Sequence, residues 1–146
     1  MKITSTSFTE GGNIPEKYTC KNPNPVNPEL KFSGVPLETK SLALVLHDPD
    51  APVAGGFTHW VVYDMPPQTR MIAENSAPAG MQAKNGAGTN KYIGPCPPSG
   101  THRYFFKLYA LDTVLAANSI QNEDNLITAM QGHILSEAEL MAKFSH

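Results

Sequence analysis

The chain has 146 residues, 40% hydrophobic and 16% charged, with a formal net charge of -2, which suits one globular domain over residues 1–146 and excludes a disordered chain. That charge gives no basic footprint for nucleic acid and no polybasic patch for an anionic membrane surface. No apolar run approaches the roughly 18 residues that span a bilayer, and the opening MKITSTSFTEGG has no apolar stretch of a signal peptide, so a cytoplasmic protein is expected, although a mature secreted form would read the same.

Thirteen prolines and eleven glycines, arranged in clusters, favour short strands joined by turns over a helical bundle. Gly11 to Pro28, with four prolines among polar residues, reads as an irregular loop. The first strand is Ser41–His47, SLALVLH, ended at Asp48-Pro49-Asp50, where Pro49 removes a ladder donor and restricts the residue before it. His59–Met65, HWVVYDM, is the second, closed by Pro66-Pro67. Ala77 to Gly100 is rich in Gly, Pro, Asn and Ala and reads as a long loop, of the kind that is usually functional or mobile. His102–Leu111, HRYFFKLYAL, is the third strong strand.

Near the C-terminus, Asn122 caps a helix opening on Glu123-Asp124, with Leu126, Ile127 and Met130 on one face and Gly132 as the stop. Beyond it, Ile134, Ala138, Leu140, Ala142 and Phe144 share one parity, which favours a final strand while a second helix competes. Mostly strands with about one short helix gives a mainly β fold, first read as a β-sandwich. Trp60, Phe105, Phe106 and Tyr109 are assigned to its core. Cys20 and Cys96 are too far apart for a CxxC motif, and two thiols alone make no zinc cage. Cytosolic chemistry favours two reduced thiols over a Cys20–Cys96 bridge.

The polar groups that can carry chemistry fall in three clusters where loops meet strands: His47-Asp48-Pro49-Asp50-Ala51-Pro52, Gly56-Phe57-Thr58-His59-Trp60, and Gly94 to Tyr104. His102 and Tyr104 share one face of their strand and Arg103 takes the other. His47 and His133 are read as structural histidines.

DPDAP, then GFTHW, then GPCPPSGTHRY, together with GGNIPEKYTC, NPEL and AMQGHIL, resemble the signature regions of the phosphatidylethanolamine-binding protein family in its shorter prokaryotic branch, related to Raf kinase inhibitor-like proteins. The resemblance spans nearly the whole chain. Two departures stand out: NGAGTNKYI over Asn85–Ile93, and Asn27 where a serine is usual. The resemblance implies two antiparallel sheets with Greek-key connections and a small cavity that binds phosphate-like anions or phosphorylated headgroups. Asp48, the backbone after Pro52, His59, the backbone near Gly94, His102 and Tyr104 should line it, with Asp50 supporting the loop through nearby backbone N–H groups. Arg103 should pair with an acid elsewhere. The resemblance further implies pairing as a homodimer and, by analogy, regulation of a protein partner such as a kinase or protease.

Asp48 beside two imidazoles is expected to raise their pKa values and so supply positive charge to the anion. Tyr104 adds a neutral donor. The competing reading is a hydrolytic or metal-dependent enzyme built on His59, His102 and Asp48. Against it, the sequence has no GxSxG elbow, HExxH, P-loop or GxGxxG, so a binding module with no catalytic residue, cofactor or metal is the expectation.

Overall fold

In the computed structural model, which describes residues 1–146, the apolar runs become eight strands and one helix. The strands are β1 (Lys2–Thr4), β2 (Leu30–Ser33), β3 (Ser41–Asp48), β4 (Phe57–Met65), β5 (Met71–Ile72), β6 (Met81–Gln82), β7 (Thr101–Leu111) and β8 (Ile134–Ser145), with α1 over Glu123–Met130. They form two antiparallel sheets, ordered β1-β2-β5 and β6-β4-β3-β7-β8. The chain crosses between the sheets after β2, β4 and β5.

β3 is continuously apolar because it is central and covered on both faces. Leu42, Leu44 and Leu46 enter the inter-sheet core with Ile3, Phe32, Trp60 and Phe106. Ala43 and Val45 face the other way, into a second cluster with Leu126 and Met130 of α1. β7 alternates instead, sending His102, Tyr104, Phe106, Leu108 and Ala110 inward. Trp60 and Phe106 take their expected core places, whereas Phe105 and Tyr109 lie half-buried on the outer face. The Arg103 guanidinium and Lys107 ammonium lie over the Phe105 ring, at 5.5 and 6.0 Å from its centroid.

The C-terminal ambiguity resolves as a strand. β8 pairs with β7 from Thr101↔Ser145 to Leu111↔Ile134, so its two-residue parity buries Leu140, Ala142 and Phe144 while the ladder satisfies its backbone. α1 starts as expected, with the Asn122 side chain accepting a hydrogen bond from the Asn125 N–H at 2.9 Å.

The cysteines differ from expectation. Cys20 and Cys96 are joined in a disulfide, with Cα atoms 5.4 Å apart. The rule that favoured free thiols concerns compartments and says nothing of which loops the fold brings together.

Candidate functional site

At one end of the inter-sheet core a cavity of about 260 Å³ is lined by residues from all three clusters, among them Asp48, Pro52, Phe57, His59, Ile93, Gly94, Cys96 and His102. Asp48 and His102 reach it by simple alternation, on the same faces as Leu46 and Phe106. His59 does not. β3–β4 pairing runs Val45↔Val61 and Leu46↔Trp60, then steps to His47↔Thr58, leaving His59 as an extra residue in a β-bulge. Without the bulge, alternation would put His59 on the face of Val61 and Tyr63, beneath α1. With it, the ring turns into the cavity and meets Tyr104 edge-on, centroids 5.3 Å apart. Thr58 turns outward.

Hydrogen bonds anchor both imidazoles at Nδ1. His102 Nδ1 lies 2.7 Å from Asp48 Oδ2, and His59 Nδ1 lies 2.9 Å from the Ile93 carbonyl oxygen. Both partners are acceptors, so each Nδ1 carries the hydrogen, and in a neutral ring Nε2 is a bare acceptor free for a ligand. Asp48 Oδ1 accepts the Asp50 N–H at 2.8 Å, which closes a tight turn over the carboxylate.

Burial pushes His59 below the ordinary histidine value, and the Ile93 carbonyl and Asp48 only partly offset it. The expectation that Asp48 raises both imidazoles is therefore corrected at His59, where desolvation of the charged ring outweighs the carboxylate.

Tyr104 is placed differently from its expected role. It is fully buried behind the two rings, 6.4 Å from the His102 ring between centroids, and its hydroxyl has no hydrogen-bond partner. Burial, then the charge of Asp48, pushes its phenol well above the ordinary range, so it remains a neutral O–H group.

Asp50 lies off the cavity wall. Its carboxylate takes three hydrogen bonds from Arg103, from the backbone N–H, Nε and Nη2, each at 2.9 Å. Those bonds hold its pKa down to about 2. The acid that Arg103 finds is thus in the site loop itself, and the pair fastens that loop to β7.

The wall opposite β3 depends on a glycine. A Cβ on Gly94 would lie 2.8 Å from the Tyr18 carbonyl oxygen and 3.0 Å from Pro25, so only glycine permits this approach. The Cys20–Cys96 bridge and the Cys20 N–H to Pro95 carbonyl bond, 3.1 Å, hold the same two segments together. Asn27 and Asn85, from the two departures, organise loops rather than the cavity. Asn27 bonds Ala73 and Ser76, while Asn85 bonds Ala87, Thr89 and Lys91.

Behind the site lies a cluster that the sequence did not announce. Glu123 Oε1 accepts from Thr58 Oγ1 at 2.5 Å and lies 2.8 Å from His47 Nδ1. Burial pushes Glu123 up, but the His47 and Thr58 hydrogen bonds outweigh it and the carboxyl sits below its ordinary value. The Glu123 hydrogen bond raises His47 in turn. Both are structural contacts that fix the neighbours of Asp48 and His59. Separations of 65 and 76 residues left no local signal. His133 likewise bonds Asp112, at 2.8 Å.

The phosphatidylethanolamine-binding protein family model matches residues 4–145. A UPF0098 protein of Methanothermobacter thermautotrophicus is 45% identical over 150 residues, covering 99% of this chain and 98% of the relative. One from Chlamydia muridarum is 43% identical over 148 residues, with 99% and 98% covered. Among solved structures, a phosphatidylethanolamine-binding protein homologue from Chlamydia trachomatis, CT736, superimposes with a TM-score of 0.94 at 41% identity, covering 99% of this chain and 97% of that one. YbcL of E. coli, described as a member of the mammalian PEBP family, gives 0.91 at 28% identity, with 99% and 98% covered.

Proposed function

This chain belongs to the phosphatidylethanolamine-binding protein family, and we propose that it is a binding module for a small phosphate-like anion or phosphorylated headgroup. The observation that carries the reading is the pair of imidazoles in one small cavity, each anchored through Nδ1 and each leaving Nε2 for a ligand. No lysine or arginine lines that cavity. An oxyanion is therefore held by hydrogen bonds that need a proton on Nε2, drawn from solvent or brought by the ligand as a P–O–H group. The apolar rim, with Pro52, Val53, Phe57 and Pro98, keeps competing water away and strengthens those bonds.

The same lining supports binding over hydrolysis. It offers no serine, threonine or lysine, and its one sulfur is held in the disulfide. The nucleophiles left are Asp48, engaged by His102 and the Asp50 N–H, and the two imidazole Nε2 atoms, which this reading assigns to holding the anion. Turnover of a simple phosphate ester such as p-nitrophenyl phosphate is expected to be absent. Hydrolysis lost in both His59→Ala and His102→Ala would replace this reading with the enzyme.

Regulation of a protein partner and pairing as a homodimer belong to the same proposal; sedimentation of the pure protein checks the second. Titration calorimetry with inorganic phosphate tests the binding itself. Saturable heat in the native protein, weakened by at least about tenfold in His102→Ala, is expected, since a charge-assisted bond contributes about 1.5–3 kcal/mol. Equal affinity in the two proteins would remove the site from the account.

A further inference from the structure

Two thiols make no metal site, but the fold adds a third ligand. The imidazole of His146, which follows the last residue of β8, comes within 4.8 Å of the sulfurs of Cys20 and Cys96. We propose that the reduced chain binds one soft divalent cation, of which zinc is the biological representative, through Cys20, Cys96 and His146, and that the Cys20–Cys96 disulfide closes this site when oxidised. The inference is independent of the anion reading.

The donor set and spacing both fit. Two thiolates and an imidazole are soft to borderline ligands that select zinc over calcium or magnesium, with solvent completing a tetrahedron. Zn–S bonds of about 2.3 Å and Zn–N bonds of about 2.0 Å put tetrahedral ligand atoms roughly 3.5–3.8 Å apart. The donors already lie inside 4.8 Å, and the Cα atoms of the two cysteines are 5.4 Å apart, so the backbone need move little. Cys96 and His146 are exposed and Cys20 is half-buried, which lets a metal enter from solvent without unfolding. Cys96 also belongs to the cavity wall, so the two states of this site present different walls to the cavity.

The chemistry balances with a cellular dithiol as reductant. Thiol–disulfide exchange moves two electrons and two protons to the chain, leaving two cysteine thiols here and a new disulfide on the donor. The cation then displaces the two thiol protons, so binding strengthens as pH rises.

Cobalt(II) is the probe, because its thiolate bonds absorb. Anaerobic titration of the fully reduced full chain should give one equivalent of cobalt, a thiolate-to-cobalt charge-transfer band and tetrahedral ligand-field bands. Zinc should bleach both, and the oxidised protein should show neither. His146→Ala removes an exposed side chain beyond the last strand and should weaken cobalt by at least about tenfold, a loss that even a supporting neighbour of a ligand can cause. Cys96→Ser, which leaves only the Cys20 thiolate, should weaken cobalt and reduce the charge-transfer band. A reduced protein without that band, or an affinity unchanged in His146→Ala, overturns the site. So does a reduced chain that unfolds, by loss of its near-ultraviolet dichroism, and is not refolded by stoichiometric metal.

Discussion

His59 and His47 sit on opposite faces of the same pair of strands, and their surroundings push them in opposite directions. Burial lowers His59, so its ring is neutral at pH 7 and an oxyanion must bind together with a proton. Phosphate affinity should therefore fall as pH rises through neutrality, once the ligand's own second ionisation is subtracted. Calorimetry in two buffers of different ionisation enthalpy should show net proton uptake at pH 7; uptake of zero would leave the anion to backbone donors alone. For His47 the Glu123 bond favours the protonated ring. Its stabilisation is complete below the unfolded value of about 6.5 and is lost as pH rises through the higher folded value. His47→Gln should accordingly cost more at pH 5.5 than at pH 9 in urea unfolding, and an equal cost at both would deny the ion pair. His59 acts with the other sign, removing stability as pH falls below its unfolded value. Of the residues named from the three clusters, Asp48, His59 and His102 line the cavity, whereas Asp50 and Tyr104 lie off its wall. The sign of the His59 shift was not legible in the sequence, because sequence proximity to Asp48 carries no measure of burial.

Among the elements, β3, β4, β7 and α1 could be read directly, since apolar runs, Pro66-Pro67 and the Asn122 cap all act locally. The bulge at His59 could not, because it is a property of register between two strands, and one extra residue reverses the face of everything before it. Thr58 owes its outward direction to that bulge, and Glu123 at the start of α1 receives it. Glu123→Ala leaves the Thr58 hydroxyl and the His47 ring without their acceptor, and should cost about 1–3 kcal/mol by urea unfolding. Because those two residues neighbour His59 and Asp48, phosphate affinity should fall as well. A variant that loses stability but binds phosphate normally would show that α1 does not steady the site. In the inter-sheet core, Phe106→Ala should cost about 3–5 kcal/mol by the same measurement.

For the molecule as a whole, the long Ala77–Gly100 loop is held by distant partners more than by its own structure. Gly94 presses on the Tyr18 backbone, the Tyr92 hydroxyl donates to the Tyr18 carbonyl at 2.7 Å, and the disulfide joins residues 76 apart in sequence. Closing so long a loop restrains the unfolded chain, so reduction should lower stability by about 2–5 kcal/mol in guanidinium unfolding with and without a phosphine; no change would mean that the bridge constrains nothing. The residue pattern foretold a mainly β fold with one helix, and the family resemblance implied two sheets and a cavity, but the bridge and the Glu123 cluster arise only when remote segments fold together. The central claim, that a phosphate-like anion binds between His59 and His102, is tested most directly by following the five histidine side chains by NMR during a phosphate titration at constant pH. The imidazole signals of His59 and His102 should shift and saturate with one shared dissociation constant, while those of His47, His133 and His146 stay nearly still. Unmoved His59 and His102 signals, or similar unsaturable drift in all five, would contradict the account.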